Sequence, residues 1–183
     1  MSKQHEELSE QFTQFIQRQK IFFVATATAD SRVNLSPKGM DTLRVLNKNR
    51  VAWLNVTGSG NETSAHVQLN PRMTMMFCAF EGPPLILRLY GSARVVHKND
   101  AEWNALFSLF APLPGSRQIF DLAIDLVQTS CGMAVPCYSY EGERELLQDW
   151  AVKKGDQGVQ QYWKEKNQVS LDQIPTNILD RNT

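Results

Sequence analysis

The chain has 183 residues, of which 42% are hydrophobic and 21% are charged, a balance typical of a globular domain with a sizeable core. Lysines and arginines together number 19, as do aspartates and glutamates. This zero net charge argues against nucleic acid or an anionic membrane as a partner and offers little resistance to self-association. The first segment is unlike a signal peptide, and no apolar run approaches the roughly 20 residues of a membrane span. We therefore expect a cytoplasmic protein.

The cysteines and histidines predict neither a disulfide framework nor a metal site. The three cysteines are odd in number and lie in apolar surroundings, at Cys78, Cys131 and Cys137. The three histidines are far apart in sequence, at His5, His66 and His97. Because zinc sites use closely paired ligands, we expect no metal site and three reduced, structural thiols.

The first two thirds of the chain read mainly as strands. Apolar residues at helical spacing predict an amphipathic helix over residues 6–20. β-Branched and aromatic runs then predict strands at 21–30, 32–37, 42–46, 50–56, 72–80, 85–96 and 118–131, the last of them half exposed. Gly91, inside a strand, indicates a bulge or a close backbone approach. Short helices are expected at 64–71 and 100–110.

From residue 143 the composition becomes helical. Two segments, 143–155 and 157–167, read as helices joined at a glycine, and a loop follows. The strands are numerous and lack the regular strand–helix alternation of a doubly wound sheet. We therefore predict a mainly β (α+β) protein, an antiparallel barrel of about six strands with short peripheral helices and a helical C-terminus.

The stretch TGSGNETSAH (residues 57–66) joins a strand to a helix and has two interpretations. Ser59 and Glu62 have the spacing of a capping box, and the glycines allow a tight turn. The amides at a helix N-terminus attract phosphate. Gly-x-Gly turns before helices are common, however, and this one lacks the lysine of a P-loop. The motif alone leaves an anion site and a well-made turn both open.

Three stretches occur in an informative order. A hairpin ends in Asn-x-Ser-Pro-Lys-Gly (34–39), a strand runs through a small-residue loop into a helix ending in Asn-Pro (50–71), and a later strand carries Leu-Tyr-Gly-Ser-Ala-Arg (89–94). Together they resemble the FMN-binding split-barrel family typified by pyridoxamine 5'-phosphate oxidase. The resemblance covers about residues 6–135, and the remainder looks like a less characterised branch.

The resemblance implies a six-stranded split barrel that forms a homodimer, with FMN in the groove between subunits. It divides the chain into an FMN-binding domain (1–140) and a C-terminal helical extension packed on it (141–183). It also implies the cofactor-binding residues: Asn34, Leu35, Ser36, Lys38, Trp53, Leu54, Asn55, Asn61, Glu62, Thr63, Ser64, Arg88, Ser130 and Cys131. In the family, the 34–36 edge and the 53–55 strand meet the flavin, residues 61–64 hold phosphate, and the segment from Ser130 lies near the partner's flavin.

Several roles stay open at this stage. The family places basic residues before the Ala-His pair, where this chain has Thr63 and Ser64, so the phosphate needs another cation. Arg32, Lys38 and Arg88 are the candidates. Arg88, in a barrel strand, needs an anionic partner, which is either the phosphate or a carboxylate such as Glu62. Lys38 fits a solvated loop as well as the site, Trp53 fits the core as well as a stacking position, and His66 fits packing as well as an approach to flavin or substrate.

The function implied is an FMN-dependent oxidoreductase of unknown small-molecule substrate, whose flavin carries the chemistry. No catalytic side chain is assigned. The C-terminal SLDQIPT does not resemble the substrate motif of true pyridoxamine phosphate oxidases. The alternatives are a non-catalytic flavin or haem binder, in which His66 or His97 would reach iron, and a deazaflavin-dependent reductase. The latter needs a basic channel, for which Arg32, Lys38 and Arg44 are the visible residues. An interaction domain without cofactor is the simplest alternative.

Overall fold

One curled antiparallel sheet is the frame of the molecule, in a computed structural model that describes residues 2–183. Its strands are β1 (Lys3–His5), β2 (Phe22–Thr26), β3 (Asn34–Lys38), β4 (Leu43–Asn47), β5 (Arg50–Val56), β6 (Arg72–Cys78), β7 (Ile86–His97) and β8 (Ser116–Ser130). The helices are α1 (Glu10–Arg18), α2 (Glu62–Leu69), α3 (Trp103–Phe107) and α4 (Leu146–Lys166).

The strand order is β3-β2-β6-β7-β8-β5-β4, with β1 added to β8. β3 and β4 follow each other in sequence but lie at opposite ends of this order, so the segment 39–42 crosses from one edge of the sheet to the other. The predicted mainly β, antiparallel split-barrel fold with a helical C-terminus is confirmed. The strand count is eight rather than about six. One reason is β1, whose polar residues carry no strand pattern and pair with Val127–Thr129.

β8 is the central strand of the site region, and its burial differs from the prediction. A half-exposed strand was expected, and residues 123–130 follow that pattern, whereas residues 116–122 are all buried. Phe120 and Leu122 enter the main core, where Phe120 stacks on Trp53 with ring centroids 4.7 Å apart. On the opposite face, Ile119 packs with Trp103 of α3. Both faces are therefore covered, and alternation in the sequence could not show that.

Gly91 forms the predicted bulge in β7. The register between β7 and β8 shifts between Tyr90 and Gly91. A Cβ at Gly91 would lie 1.9 Å from the backbone oxygen of Ala123, which is far inside van der Waals contact. The strands approach this closely only because residue 91 has no side chain.

The C-terminal segment has a small core of its own. α4 is broken at Gly155, whose φ of 64° and ψ of 170° are not helical, as the glycine between the two predicted helices indicated. Ala151, Val159, Trp163 and Ile178 form a buried cluster behind the cleft described below. No helix within residues 2–183 is long and apolar enough to span a bilayer.

Candidate functional site

A cleft of about 370 Å³ opens where the end of β3, the middle of β5, the 57–61 loop and the start of α2 meet. The segment 39–42 that crosses between the sheet edges forms one wall, and β8 and α4 contribute Arg117 and Leu147. The structure brings nine of the predicted residues together here: Asn34, Ser36, Lys38, Trp53, Leu54, Asn55, Asn61, Glu62 and Thr63.

Lys38 supplies one positive charge to the cleft. Its Nζ lies 4.8 Å from the ring centroid of Trp53, close enough for a cation–π contact. Burial, together with the nearby charge of Arg117, lowers the pKa of Lys38 to about 8. The lysine is therefore a desolvated cation beside another cation, in contrast to the solvated loop lysine that the sequence also allowed.

Arg117 supplies a second charge, and the sequence did not predict its role. It is 4% exposed. Its Nη1 donates to Oδ1 of Asn167 at 2.8 Å and its Nη2 to the carbonyl of Gly60 at 2.7 Å. The Asn55 amide, oriented to satisfy its neighbours, accepts from Nε at 3.1 Å. All three acceptors are neutral, so the guanidinium is held in place without being neutralised, and two of its five N–H donors are unassigned.

Neither cation has a carboxylate partner among residues 2–183. This is unusual, because buried charges are ordinarily paired. Burial lowers the pKa of Arg117 to about 9, which leaves it protonated at neutral pH. Two uncompensated cations on one cleft favour an anionic ligand.

The N-terminus of α2 adds polar groups that lack partners. Asn61, the N-cap residue, is 2% exposed, and neither its Oδ1 nor its Nδ2 has a hydrogen-bond partner within the described chain. Oγ of Ser36 is likewise buried and unpartnered. Unsatisfied buried polar groups are costly, so this end of the cleft fits a ligand that carries hydrogen-bonding oxygens.

The predicted capping box is wrong. Asn61 rather than Ser59 is the N-cap, and no side chain caps the helix. Both carboxylate oxygens of Glu62 accept from the backbone amide of Leu171, at 3.0 and 3.1 Å. The capping-box pattern failed because a segment more than a hundred residues away competes for Glu62.

Asn34 is held by a short polar network. Its Nδ2 donates to Oγ1 of Thr26 at 3.2 Å and to Oγ1 of Thr63 at 3.1 Å. Thr26 in turn lies 3.2 Å from Nδ1 of His66. Because both amide hydrogens of Asn34 are used within the protein, its Oδ1 remains as an acceptor on the cleft wall. His66, which is 1% exposed, supports this residue from behind and does not line the cleft.

Trp53 combines the two roles that the sequence left open, and Leu54 is placed in a similar way. Trp53 is 2% exposed and stacks in the core, yet it also borders the cleft under Lys38. Leu54 is fully buried in the cluster beneath α3 and also reaches the cleft wall. Core packing thus fixes the apolar part of the site.

Five predicted residues lie outside this cleft. Leu35 points away from it and is 64% exposed. Ser64 is fully buried; its hydroxyl donates to the carbonyl of Thr176 and accepts from Gln118. Arg88 donates to Oγ of Ser130 at 3.0 Å, so its partner is neither Glu62 nor a group in the cleft. Ser130 and Cys131 lie at the far end of β8 from Arg117, and their predicted place near a partner's flavin stays a prediction.

The three thiols predicted to be reduced and structural are all free, but two of them lie outside the packed interior. Cys78 is buried, but Cys131 and Cys137 are exposed. The pKa of Cys131 is lowered, chiefly because the backbone amide of Met133 donates to the thiolate. The apolar neighbours in sequence misled the prediction, since the segment after β8 leaves the sheet.

The residues required by the alternative cofactors are placed elsewhere. His97 is fully buried, with Nδ1 2.8 Å from Nδ2 of Asn182, and neither it nor His66 lines the cleft. Of the basic residues considered for a deazaflavin tail, Arg32 pairs with Asp172 and Arg44 with Asp41. Only Lys38 of that set faces the cleft.

Arg117 and Asn167 are the functional candidates that sequence reasoning missed. Arg117 comes directly before the predicted strand 118–131, where a solvent-exposed arginine is common. Nothing in the local sequence indicates its burial, which in the structure extends over residues 116–122. Nothing near Asn167 in the sequence indicates its side-chain hydrogen bonds, because their partners are all at least 50 positions away.

The cleft residues fit the phosphate and polyol of a flavin mononucleotide. A phosphate dianion would meet the Lys38 and Arg117 charges and the partnerless Asn61 amide at the start of α2. Ser36 and Asn34 offer a hydroxyl and an amide oxygen on the adjoining wall. Glu62 is the one carboxylate lining the described cleft, and the Leu171 amide holds its oxygens.

Comparison with known proteins agrees with this geometry. The family model of pyridoxamine 5'-phosphate oxidase matches residues 8–131. The pyridoxamine 5'-phosphate oxidase family protein ustO of Aspergillus flavus is 31% identical over 191 residues, covering 93% of this chain and 76% of that protein.

Two solved structures share the fold at low identity. A variant of HupZ from Group A Streptococcus aligns with a TM-score of 0.56 and 17% identity, over 67% of this chain and 98% of its own. A candidate pyridoxamine 5'-phosphate oxidase from Lactobacillus delbrueckii aligns with a TM-score of 0.54 and 18% identity, over 67% and 94%. These two structures show the same fold, and the family model and the curated relative show the family. The chain belongs to the pyridoxamine 5'-phosphate oxidase family.

Proposed function

We propose that this protein binds FMN in the cleft and works as a flavin-dependent oxidoreductase on a small molecule. One observation carries the proposal: the half-buried Lys38 and the buried Arg117, which have no carboxylate partners, share a cleft with the N-terminus of α2 and its unsatisfied Asn61. A ligand with a terminal phosphate satisfies all of these groups at once.

When bound, the flavin supplies the redox chemistry by accepting or giving a hydride or two electrons. The residues of the chain bind and orient it. Lys38 and Arg117 would hold the phosphate, and the fixed amide of Asn34 would accept a hydrogen bond from a donor on the ligand. Trp53 and Leu54 form the apolar wall of the cleft. We assign no acid, base or nucleophile, and the substrate and electron donor stay open.

The proposal includes a homodimer with the cofactor between subunits. In support, the β3 edge beside the cleft carries exposed apolar residues, with Val33 74% and Leu35 64% exposed. Burial of such residues against a second copy would complete the site. Analytical ultracentrifugation of the wild-type protein and of Leu35→Glu tests this point. We expect the wild type to be a dimer and the introduced carboxylate to weaken dimerisation.

The first experiment is the visible spectrum of the purified protein, with mass identification of whatever heat releases. We expect a flavin spectrum and released FMN. Flavin-free protein should then bind FMN more tightly than riboflavin, which lacks the phosphate. A Soret band, or a protein that refuses added FMN, would overturn the proposal.

The sharper test is Arg117→Met. A charge-assisted hydrogen bond contributes about 1.5–3 kcal/mol, so loss of the guanidinium should weaken FMN binding about 10- to 150-fold and leave riboflavin binding nearly unchanged. Arg144→Met is the matched control, because it removes the same charge from an exposed position. Equal losses for both ligands in Arg117→Met would contradict the placement of the phosphate.

A further inference from the structure

Asn167 joins the end of α4 to the cleft. The residue is fully buried. Its Oδ1 accepts from Nη1 of Arg117 at 2.8 Å, and its Nδ2 donates to the carbonyls of Gly58 and Ser59 at 3.1 and 3.3 Å. One side chain thus holds both the orientation of a cation and the course of the loop that leads into α2.

The backbone of Asn167 is itself fixed. Its amide donates to the carbonyl of Trp163 at 3.0 Å, and its carbonyl accepts from Oγ1 of Thr176 at 2.6 Å. Nε1 of Trp163 donates to Oγ1 of Thr57 at 2.8 Å, at the start of the same loop. The last turn of α4 therefore contacts the loop at two points, four residues apart along the helix.

The neutrality of Asn167 matters as much as its position. An aspartate there could still accept from Arg117, but it would neutralise the guanidinium and repel the carbonyls of Gly58 and Ser59. An amide satisfies all three neighbours and leaves the positive charge available. The family model ends at residue 131, so this contact comes from a part of the chain outside it.

We infer that Asn167 is a positioning residue for the phosphate end of the cleft, which orients Arg117 and the 58–60 loop toward a bound phosphate without touching it. This inference rests on the proposed function in that the phosphate is taken to be that of FMN. It adds that the C-terminal segment completes the site and does not merely cover the barrel.

The test is Asn167→Asp, with FMN and riboflavin titrated into the flavin-free protein. We expect FMN affinity to fall about 100-fold and riboflavin affinity to change less than about threefold, because the substitution neutralises the charge that faces the phosphate. Gln157→Glu is the matched control: it makes the same amide-to-carboxylate change at an exposed position of α4 and should bind both ligands normally.

Three further measurements make the result decisive. Asn167→Ala removes the contacts without adding charge and should cost FMN about tenfold, so it replaces the aspartate variant if that one fails to fold. In an Arg117→Met background, Asn167→Asp should lower FMN affinity by clearly less than about 100-fold, because the charge that it neutralises is already absent. Inorganic phosphate should raise the melting temperature of flavin-free wild-type protein but not that of Asn167→Asp.

The outcomes separate this inference from the proposed function. Folded Asn167 variants with wild-type FMN affinity, or with equal losses for FMN and riboflavin, overturn the positioning role while FMN binding stands. Wild-type protein that responds to phosphate but binds no flavin overturns the proposed function, and the phosphate response of Asn167→Asp still decides the inference. Wild-type protein that binds neither flavin nor inorganic phosphate overturns both the proposed function and the positioning role of Asn167.

Discussion

Lys38 makes the pH dependence of FMN binding a quantitative test of the site. Its pKa of about 8, lowered by burial and by Arg117, means that the amine loses its charge as pH rises through 8. The phosphate of FMN stays a dianion above about pH 7, because its second pKa is about 6. Over this range, the titration of Lys38 changes the charge that meets the phosphate.

The expected magnitude follows from the pKa. At about pH 9, one unit above that value, about nine tenths of the free-protein amines are neutral. FMN affinity should therefore be about tenfold lower than at pH 7, equivalent to about 1.4 kcal/mol. A bound dianion favours the charged amine, so binding near pH 8.5 should also take up a proton, detectable as a buffer-dependent enthalpy in calorimetry.

Fluorescence titrations of FMN and riboflavin between pH 7 and 9 measure the effect. Riboflavin shares the ring but not the phosphate, so its affinity should vary little. Lys38→Met should bind FMN weakly and without the slope, whereas Lys153→Met, at an exposed position on α4, should keep it. A slope of equal size for riboflavin, or one that survives in Lys38→Met, would refute the assignment.

Three further predictions concern the frame of the site. Gly91→Ala should lower the free energy of unfolding by about 3 kcal/mol or more in denaturant titration, because its Cβ would lie 1.9 Å from a backbone oxygen; wild-type stability would contradict the close approach. Trp163→Phe should lose about 1 kcal/mol with its bond to Thr57, and no loss in thermal melts would discount that bond. Asp121→Asn should cost about 1–3 kcal/mol at neutral pH.

The Asp121 effect should depend on pH. Burial raises the pKa of Asp121, but hydrogen bonds and charge from Arg50 and Arg94 outweigh it, so the folded-state pKa lies below its ordinary value of 3.8. The stabilisation is thus present above the unfolded pKa and is lost as pH falls through the folded one. The gap between wild type and Asp121→Asn should narrow below about pH 4; a gap that persists there would point to packing.

Local chemistry explains what the sequence predicted well. The strands at β5 and β7, the bulge at Gly91 and the break at Gly155 follow from β-branched runs and from glycine's backbone freedom, which neighbouring residues suffice to specify. The family resemblance predicted Asn34 and Asn55 as site residues, because its motifs span β3 and β5.

The site features that the sequence did not predict depend on contacts between distant segments, which a local sequence pattern cannot show. Arg117 is buried between β5, the 57–61 loop and the end of α4, and Glu62 turns away from its helix because Leu171 offers an amide. Conversely, Arg88 has the pattern of a buried cation, yet a neighbouring hydroxyl satisfies it. Whether a charge is paired is a tertiary property.

The contacts of Trp163 and Asn167 with the 57–60 loop also set an order of events during synthesis. They join residues 106 and 109 positions apart in sequence, among the longer-range contacts that form late in folding. A nascent chain that stops short of Asn167 contains every strand of the sheet, yet its Arg117 lacks one of its three hydrogen-bond acceptors. The loop that leads into α2 therefore has both of its contacts with α4 only after nearly the whole chain has been synthesised.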